Sequence, residues 1–457
     1  MSIINIALSG LNANKVALDV TSQNVANINT PGYSRQQANM AAVSAYQYTG
    51  LTSGNGVEIT GIRRVTDQYV VRQTWLTGSQ AAFTENFSAS MGELETMLSS
   101  DAFSISAGLD DFYAALNDAS VEPESSPLRL QVLNEAEALT NRFSTLSESL
   151  LSQHRDLSEQ RMAAVAQANS LLENIADVNG KIVEMQGSGA NPALLEDERD
   201  LLIEELSSLV DIRTTQQQNG SLQVTLATGQ PLVLGDGAAQ LKAVPDASDP
   251  YLADLFVEFS GQEFVVTGDA GGQIGAISQY QTDILVPAYQ ALDDMAAELA
   301  DELNSILASG QDLNGNPGQP LFTYNAANPA ASLEITAITA EELAFSVDGT
   351  PGNNEVLQQL IDSSNTPLII SGYGNISAHD AFASMISQTA IQARQASSDD
   401  TAASALYQQA IAVRDGLSAV NEDEEAANLM VYSNAYQANM KVISTANELF
   451  DTVLQLF

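Results

Sequence analysis

Residues 126–180 read SPLRLQVLNEAEALTNRFSTLSESLLSQHRDLSEQRMAAVAQANSLLENIADVNG and carry the longest helical pattern of the chain. Ser126-Pro127 is typical of a helix start, and no other Gly or Pro occurs before Gly180. Apolar residues recur every seven positions in two seams, the first Phe143, Leu150, Leu157, Ala164, Leu171, Val178 and Met185, the second Leu139, Leu146, Ala168, Ile175 and Ile182. Such heptads predict long helices packed as a coiled coil or bundle. We expect His154 and Arg161, which lie in the second seam, to be partnered polar residues without a catalytic role.

The first residues of the chain predict another amphipathic helix, over residues 3–28. The run ends at Asn29-Thr30-Pro31-Gly32, where Pro cannot continue a helix and Gly permits a turn. The apolar stripe of this helix consists of Ile4, Leu8, Leu11, Leu18, Val25 and Ile28.

The last residues form the most regular heptad of the sequence. Asn421 can cap this helix, with Glu424 placed for a capping box. The apolar stripe consists of Leu429, Tyr432, Tyr436, Met440, Ile443, Phe450, Val453 and Phe457. Because two such ends could pair and still expose apolar surface, we predict that both stripes form an interface with repeated subunits.

The region between the ends predicts an α+β, multidomain fold. The terminal heptad helices, residues 1–36 with 419–457, are expected to form a coiled-coil pair. A helical-bundle middle domain with a small β part takes residues 37–212 with 273–320 and 373–418. Alternating residues such as Leu222, Val224 and Leu226, with Gly and Asp between the runs, predict a β-rich outer module of residues 213–272 with 321–372 inserted in the bundle. The Asn55-Gly56 pair predicts a hairpin turn.

Charge and composition exclude several functional classes. The 57 acidic and 16 basic residues give a net charge of −41, which opposes binding to nucleic acid or to anionic lipid. There is no cysteine and there are only two histidines, so we expect no cofactor and no metal site. The sequence has no evident cleavable signal peptide and no apolar stretch long enough to predict insertion into a membrane.

A search for catalytic motifs predicts no enzyme. No Gly-x-Ser-x-Gly elbow or phosphate-binding Gly-Lys-Ser/Thr sequence occurs. Asp312-Leu-Asn-Gly-Asn-Pro-Gly318 begins like a calcium loop, but Pro317 and Thr323 replace the required Gly and Glu, so we interpret it as turns. The acids at 423–425 point in different directions on a helix, which fits a role at the helix dipole.

Both ends resemble the signature sequences of the bacterial flagellar axial proteins, which form the rod, the hook and the hook-associated junctions. The core of the resemblance is NINTPGY at residues 27–33, followed at the other end by VNEDEEAAN at 420–428 and AYQANMKVISTANELFD at 435–451. The middle resembles the hook-associated members in LLEDERDLLIEELSSLV at 194–210, GQPLVLG at 229–235 and DLNGNPG at 312–318. Residues 321–372 are short for that group, so an outer domain is expected to be reduced.

This resemblance implies a structural role outside the cell. Members leave the cytoplasm through the flagellar type III export system, which needs no cleaved signal, and form a ring that joins hook to filament. The implied partners are copies of the chain itself, the hook protein, the next hook-associated junction protein toward the filament, and a cytoplasmic export chaperone at the C-terminal region. The alternatives are a hook or distal rod subunit, or a secreted acidic carbohydrate-acting enzyme or adhesin.

The resemblance also draws attention to the segment Asn27, Asn29, Thr30, Pro31, Gly32 and Tyr33. It is either a hinge between the terminal helix and the outer domains or a plain helix stop, and the sequence leaves both interpretations open. Ordering a residue costs about 1–2 kcal/mol and burying one Leu or Phe contributes about 1.5–3 kcal/mol. Because these are comparable, we expect the ends to be disordered in the monomer and ordered on assembly.

Overall fold

Helices dominate the computed structural model, which describes residues 3–43 and 54–454. The α+β class is confirmed, and the helices predicted at 3–28, 126–180 and 421–457 are present within the described residues. The helices are α1 Ile3–Ala26, α2 Gln68–Leu98, α3 Ile105–Val121, α4 Ser126–Ser188, α5 Ala193–Leu209, α6 Gly272–Tyr280, α7 Val286–Ala308, α8 Pro329–Ser332, α9 Glu355–Asp362, α10 Ala378–Ser418 and α11 Glu422–Leu454. A π-helical turn, Gln281–Leu285, joins α6 to α7.

Helix α4 is a single element of 63 residues. Its two heptad seams are buried, apart from Met185 near its end, and Gly189 closes it in the left-handed conformation at φ 76°. His154 and Arg161 are partnered as expected. The imidazole Nε2 lies 2.9 Å from Asp249 Oδ2, and Arg161 Nη1 donates to Gln281 Oε1 at 2.6 Å.

Two apolar cores lie along α4. The N-terminal half, with residues such as Phe143 and Leu150, packs with α2, α3, α7 and α10 in the first core. The C-terminal half, with residues such as Leu172 and Ile175, packs with α5 and the strands after it in the second core. Since one rigid helix passes through both, the cores are held at a fixed separation.

The strands form five small antiparallel sheets within the described residues: β1–β2, β3–β6, β7–β9, β10–β11 and β12–β13. The predicted alternation in the β module is confirmed, since Leu222, Val224 and Leu226 all point into the second core. The strands are β1 Gln36–Ala42, β2 Val57–Arg64, β3 Ile212–Gln216, β4 Leu222–Leu226, β5 Pro231–Leu234, β6 Gly237–Ala238, β7 Gln240–Pro245, β8 Ala253–Phe259, β9 Gln262–Val265, β10 Phe322–Thr323, β11 Glu334–Ile335, β12 Leu368–Ile370 and β13 Gly374–Ile376.

Two details differ from the sequence-based expectation. Residues 321–372 do not pack with residues 213–272, because their buried side chains, such as Phe322 and Phe345, belong to the first core. Their strands have only two or three residues, too few to enclose a core of their own. The turn of the first hairpin is not at Asn55-Gly56, because the Asn55 amide donates to the Val43 carbonyl and continues the ladder.

Three arginines are buried without an acidic partner within ion-pair distance among the described residues. Arg129 donates to the carbonyls of Pro123, Ala340 and Leu343, and burial lowers its pKa to about 10. Arg161 holds the carbonyl of Tyr251, and Arg199 that of Gly220. Each guanidinium therefore fastens an irregular segment to the helices by charge-assisted hydrogen bonds.

The Asp312 loop is closed by its own backbone. Asp312 Oδ1 accepts from the amides of Asn314 and Asn316, both at 2.7 Å, and these bonds lower the carboxyl pKa against the effect of burial. Gly315 occupies the left-handed region at φ 78°. This is the turn structure predicted for the loop.

We predict that Asp293→Asn stabilises the protein above neutral pH. Burial raises the pKa of Asp293 in α7 to about 6, although its Oδ1 accepts from the Ala330 amide at 2.8 Å. The folded state therefore binds this proton more tightly than the unfolded chain, and the free energy of unfolding falls as pH rises from about 4 through 6. Urea denaturation followed by circular dichroism should show a gain on the order of 1–2 kcal/mol at pH 8, allowing for partial exposure, and none at pH 4.

The matched control is Glu298→Gln, an exposed acid on the same helix, which should leave the pH dependence unchanged. An equal gain for Asp293→Asn at both pH values would contradict the assignment.

Candidate assembly site at the chain termini

The two ends of the chain pack against each other as antiparallel helices. Gly10 of α1 lies opposite Asn439 of α11, while Thr21, more than two turns later, lies near Glu425. A Cβ at Gly10 would come within 2.9 Å of the Asn439 side chain. The two backbones are close at this crossing because one of the facing residues has no side chain.

Small residues, and not the large apolar ones, form the most buried line of α1. The predicted stripe residues of α1 lie beside this line: Ile4, Leu11 and Leu18 are half-buried, and Val25 and Ile28 are exposed, as is Leu8 at 47%. The buried residues are Ala7, Gly10, Ala13, Ala17, Val20, Thr21 and Asn24. Their spacing of three and four residues was visible in the sequence, and small residues at that spacing indicate close approach of a neighbouring element.

Helix α11 divides its predicted stripe between two environments. Leu429, Tyr432, Tyr436 and Ile443 are half-buried on the side of α1. Met440, Phe450 and Val453 are exposed, the last two at 62% and 51%. Phe457 lies outside the described residues. Five more apolar residues of α11 are exposed as well: Met430, Val431, Val442, Leu449 and Leu454.

The β1–β2 hairpin covers another side of α1. The Val57 amide donates to Ser9 Oγ at 3.2 Å, and Ser9 Oγ donates to the Ile6 carbonyl at 2.8 Å. Gly56, at φ 101°, passes so close that a Cβ there would overlap Ser9 Oγ. Helix α1 is thus covered by α11 and by the hairpin, while Leu8 and Val25 remain exposed.

Asn24 closes the turn that follows α1. Its Nδ2 donates to the Gln36 carbonyl, and its Oδ1 accepts from the Gln36 amide and from the Tyr33 hydroxyl, each at 2.9 Å. Burial, with the nearby carboxylates of Asp197 and Glu425, raises the pKa of Tyr33 to about 12. Asn24 thus makes three side-chain hydrogen bonds to residues 33 and 36, which define the path of the chain from α1 into β1.

The sequence-predicted hinge residues lie in this same turn. The Thr30 amide donates to the Asn27 carbonyl at 2.9 Å, and the Tyr33 amide to the Thr30 carbonyl at 3.2 Å. Asn29 and Pro31 are exposed, and Gly32 at φ 75° passes over Leu201 of α5. These contacts define the turn in one conformation and leave the choice between hinge and helix stop open.

A cluster of charges fastens this turn to the helical body. Arg64 at the end of β2 contacts three carboxylates of α5: Nε lies 2.9 Å from Glu196, and Nη1 lies 2.8 Å from both Asp197 and Asp200. Asp197 Oδ2 also accepts from the Ser34 amide at 3.2 Å. Burial raises the pKa of Asp197, and the bonds to Arg64 and Ser34 oppose that shift.

The connection between α10 and α11 is tied to the same region. The Arg35 amide donates to the Ser418 carbonyl at 2.8 Å, and Arg35 Nη1 lies 2.5 Å from Glu424. Asn421 Oδ1 accepts from the amides of Asp423 and Glu424, which confirms the predicted cap. Both terminal helices therefore connect to the helical body in one region. We call this region the joint; it consists of Asn24, Ser34, Arg35 and Arg64 with their partners.

Several residues of this joint were not predicted from the sequence. Asn24, Arg64 and Asp197 are far apart along the chain, and single polar residues give no periodic signal. Within the described ranges no group of three or more His, Asp or Glu residues is placed to hold a metal ion, and no helix there is long and apolar enough to cross a membrane.

We predict that Arg64→Met destabilises the folded state by about 3–5 kcal/mol at pH 7, because it leaves the buried Asp197 carboxylate without its cation. The loss should be smaller at pH 5 than at pH 7, because burial raises the pKa of Asp197 and removal of Arg64 favours its neutral form further. Urea titrations at both pH values measure this. Arg63→Met, at the exposed neighbouring position, is the control, and equal losses for the two variants would refute the role of Arg64.

Comparisons with known proteins cover the joint, both ends and the helical body. Residues 91–322 match the family model "Flagellar hook-associated protein FlgK helical domain". Residues 4–33 match "Flagella basal body rod protein", and residues 417–456 match "Flagellar basal body rod FlgEFG protein C-terminal".

Full-length relatives and a solved structure agree with these matches. Flagellar hook-associated protein 1 of Salmonella typhimurium is 26% identical over 553 residues, with all of both chains covered. The protein of that name from Bacillus subtilis is 25% identical over 490 residues, covering 98% of this chain and 96% of the relative. The flagellar hook junction protein FlgK from Burkholderia pseudomallei superimposes with a TM-score of 0.68 at 14% identity, over 75% of this chain and 99% of that chain.

Proposed function

Because this chain belongs to the FlgK family of flagellar hook-associated proteins, we infer that it is a structural subunit of the bacterial flagellum, assembling at the distal end of the hook and connecting hook to filament. The observation that carries the mechanism is the set of exposed apolar side chains on α11, the helix that pairs with α1. Relatives of the chain are structural proteins, and we propose that this chain likewise has no catalytic activity.

Assembly is proposed to proceed through the terminal helices. Within one subunit α1 uses its small residues against α11 and the hairpin, so large apolar side chains remain on the outside of the pair. Burying one such side chain contributes about 1.5–3 kcal/mol, which favours packing against the helix pairs of neighbouring subunits. The interface is proposed to include the predicted residues of both stripes, with Leu8, Met440, Phe450 and Val453 as those most available to a neighbour.

The contacts at the joint support a proposed arrangement of domains. We propose a terminal unit of residues 1–36 with 419–457, a helical body built on α4, and an outer β unit of residues 213–272. Contacts of Asn24 and Arg64 at the joint support a fixed orientation between the first two. The alignment with the Salmonella relative extends over 553 residues, against 457 in this chain, which supports a reduced outer region.

The finer partners and the route to the flagellum are proposals. Copies of this chain, the hook protein and the next hook-associated junction protein are the expected neighbours, and an export chaperone is expected to hold the C-terminal region before secretion. Export by the flagellar type III system would place the protein outside the cell. A hook or distal rod subunit is the less favoured reading, because the match over residues 91–322 is to the hook-associated helical domain.

The proposal predicts that removal of residues 429–457 gives a folded protein that cannot assemble. The same outcome is expected from Met440→Ser, Phe450→Ser and Val453→Ser combined, because these side chains are exposed in the subunit and their replacement removes only intersubunit contacts. Each variant is expressed in a bacterium lacking its own copy of the protein, and filaments are counted by electron microscopy. We expect hooks without filaments.

The matched control is Val121→Ser, which changes an apolar side chain that is 79% exposed at the end of α3 in the helical body. It should support normal filaments. Circular dichroism of each purified variant checks that the body remains folded. Normal filaments from the truncated chain would rule out assembly through the terminal helices.

A further inference from the structure

The sulfur chemistry of this chain is confined to methionine. The sequence contains ten methionines and no cysteine, so a thioether is the only sulfur group that an oxidant can meet. All of them except Met1 lie in the residues that the structure describes. An accessible thioether is converted to the sulfoxide, whereas one packed in a core is shielded by its neighbours. The exposure of each methionine therefore decides where oxidation can act.

The described methionines differ widely in exposure. Three are at most 1% exposed in the first apolar core: Met91, Met295 and Met385. Two are half-buried, Met97 and Met185. Four are exposed: Met40 at 39%, Met162 at 61%, Met430 at 65% and Met440 at 48%. Two of the four exposed thioethers thus belong to one helix, α11.

Met430 and Met440 are members of the exposed apolar set of α11 on which the proposed assembly depends. The other members of that set are Val431, Val442, Leu449, Phe450, Val453 and Leu454. Valine, leucine and phenylalanine carry no sulfur, so the two thioethers are the easily oxidised groups of the set. A flexible thioether also suits a contact surface, because it adapts its shape to a neighbour.

Peroxide converts such a thioether to a sulfoxide by a two-electron oxidation. The sulfur lone pair attacks one peroxide oxygen, and a sulfur–oxygen bond forms as the oxygen–oxygen bond breaks. The departing hydroxide takes the proton of the transferred hydroxyl and becomes water. Methionine is oxidised and peroxide is reduced, so the step balances with peroxide as the only co-reactant. The product carries a polar hydrogen-bond acceptor where the side chain was apolar.

The sulfoxide has different consequences in the free subunit and at a contact between subunits. In the free subunit Met430 and Met440 are exposed, so water solvates the new oxygen and the fold is unchanged. A neighbouring subunit that covers either side chain removes this oxygen from water, which is unfavourable. Oxidation therefore opposes assembly and leaves the subunit folded.

We propose that Met430 and Met440 are oxidation sites through which peroxide blocks the assembly of free subunits. The inference rests on the proposed assembly through the terminal helices. Assembled subunits are protected, because the neighbours that cover both side chains also exclude the oxidant. Reduced subunits therefore assemble, and oxidised subunits do not.

The test uses the full-length protein and hooks isolated from the bacterium that lacks its own copy. The subunit is treated with hydrogen peroxide, separated from it, and examined by peptide mass spectrometry and circular dichroism. Bound subunit is then measured after sedimentation with the hooks. We expect sulfoxide at Met430 and Met440, none at the buried Met91, Met295 and Met385, and an unchanged dichroism spectrum. Binding to the hooks should fall on the order of tenfold, as expected when one apolar side chain is no longer favourably buried.

Two variants separate these sites from other effects of peroxide. Met430→Leu combined with Met440→Leu keeps apolar side chains of similar size and should bind hooks equally well before and after treatment. Met162→Leu removes an exposed methionine of the helical body, and this matched control should remain as sensitive as the unchanged protein.

The outcomes distinguish this inference from the proposed function. Equal binding of the oxidised and untreated protein, or sensitivity retained in the double variant, would overturn the inference and leave assembly through the terminal helices intact. Untreated protein that does not bind the hooks would overturn the proposed function, and the inference with it.

Discussion

The packing of both seams of α4 is the interaction on which the rest of the structure depends. One helix of 63 residues supplies side chains to both apolar cores, from Val132 in the first to Ile175 in the second. The irregular segments are then attached to the helices by single buried arginines. Arg129 holds the loop before Phe345, Arg161 the turn at Tyr251, and Arg199 the turn at Gly220. Removal of a guanidinium would leave these carbonyls buried and unpaired, which costs more than the hydrogen bond itself contributes.

The pair of terminal helices, α1 and α11, buries much less apolar surface within the subunit than the helices around α4 do. Its close contact is made by small residues such as Gly10 and Ala17, which bury little area, while Phe450 and Val453 remain outside. Apolar contacts within the subunit therefore stabilise this helix pair less than the two apolar cores stabilise the helical body. Its orientation depends on the polar joint, where Asn24 fixes the turn and Arg64 bridges to α5. The geometry suits a subunit whose ends obtain most of their apolar burial from neighbours.

Periodic features could be predicted from the sequence, and isolated polar contacts could not. The heptads of α4 and α11 predict both helices correctly, because an apolar repeat sustained over many turns indicates a helix and not a strand. In α1 the predicted large apolar residues lie beside the most buried line of the helix, which consists of small residues such as Ala7, Gly10 and Ala17 and gives a weaker hydrophobic pattern. The sequence predicts residues 321–372 as part of the β module because they are mixed and short-stranded, and short strands do not indicate against which core they pack. Arg64 and Asp197 meet only through tertiary structure.

Thiol modification is the most direct test of the proposal that neighbouring subunits cover the exposed apolar side chains of α11. The chain has no cysteine, so Val453→Cys introduces a single thiol on the exposed side of α11, and Val121→Cys provides the same probe in the helical body. The rate of maleimide modification is compared between the purified subunit and isolated flagella that contain the variant. The account predicts that Val453→Cys reacts readily in the subunit and is strongly protected in the flagellum, while Val121→Cys changes little. Equal reactivity of Val453→Cys in both states would contradict it.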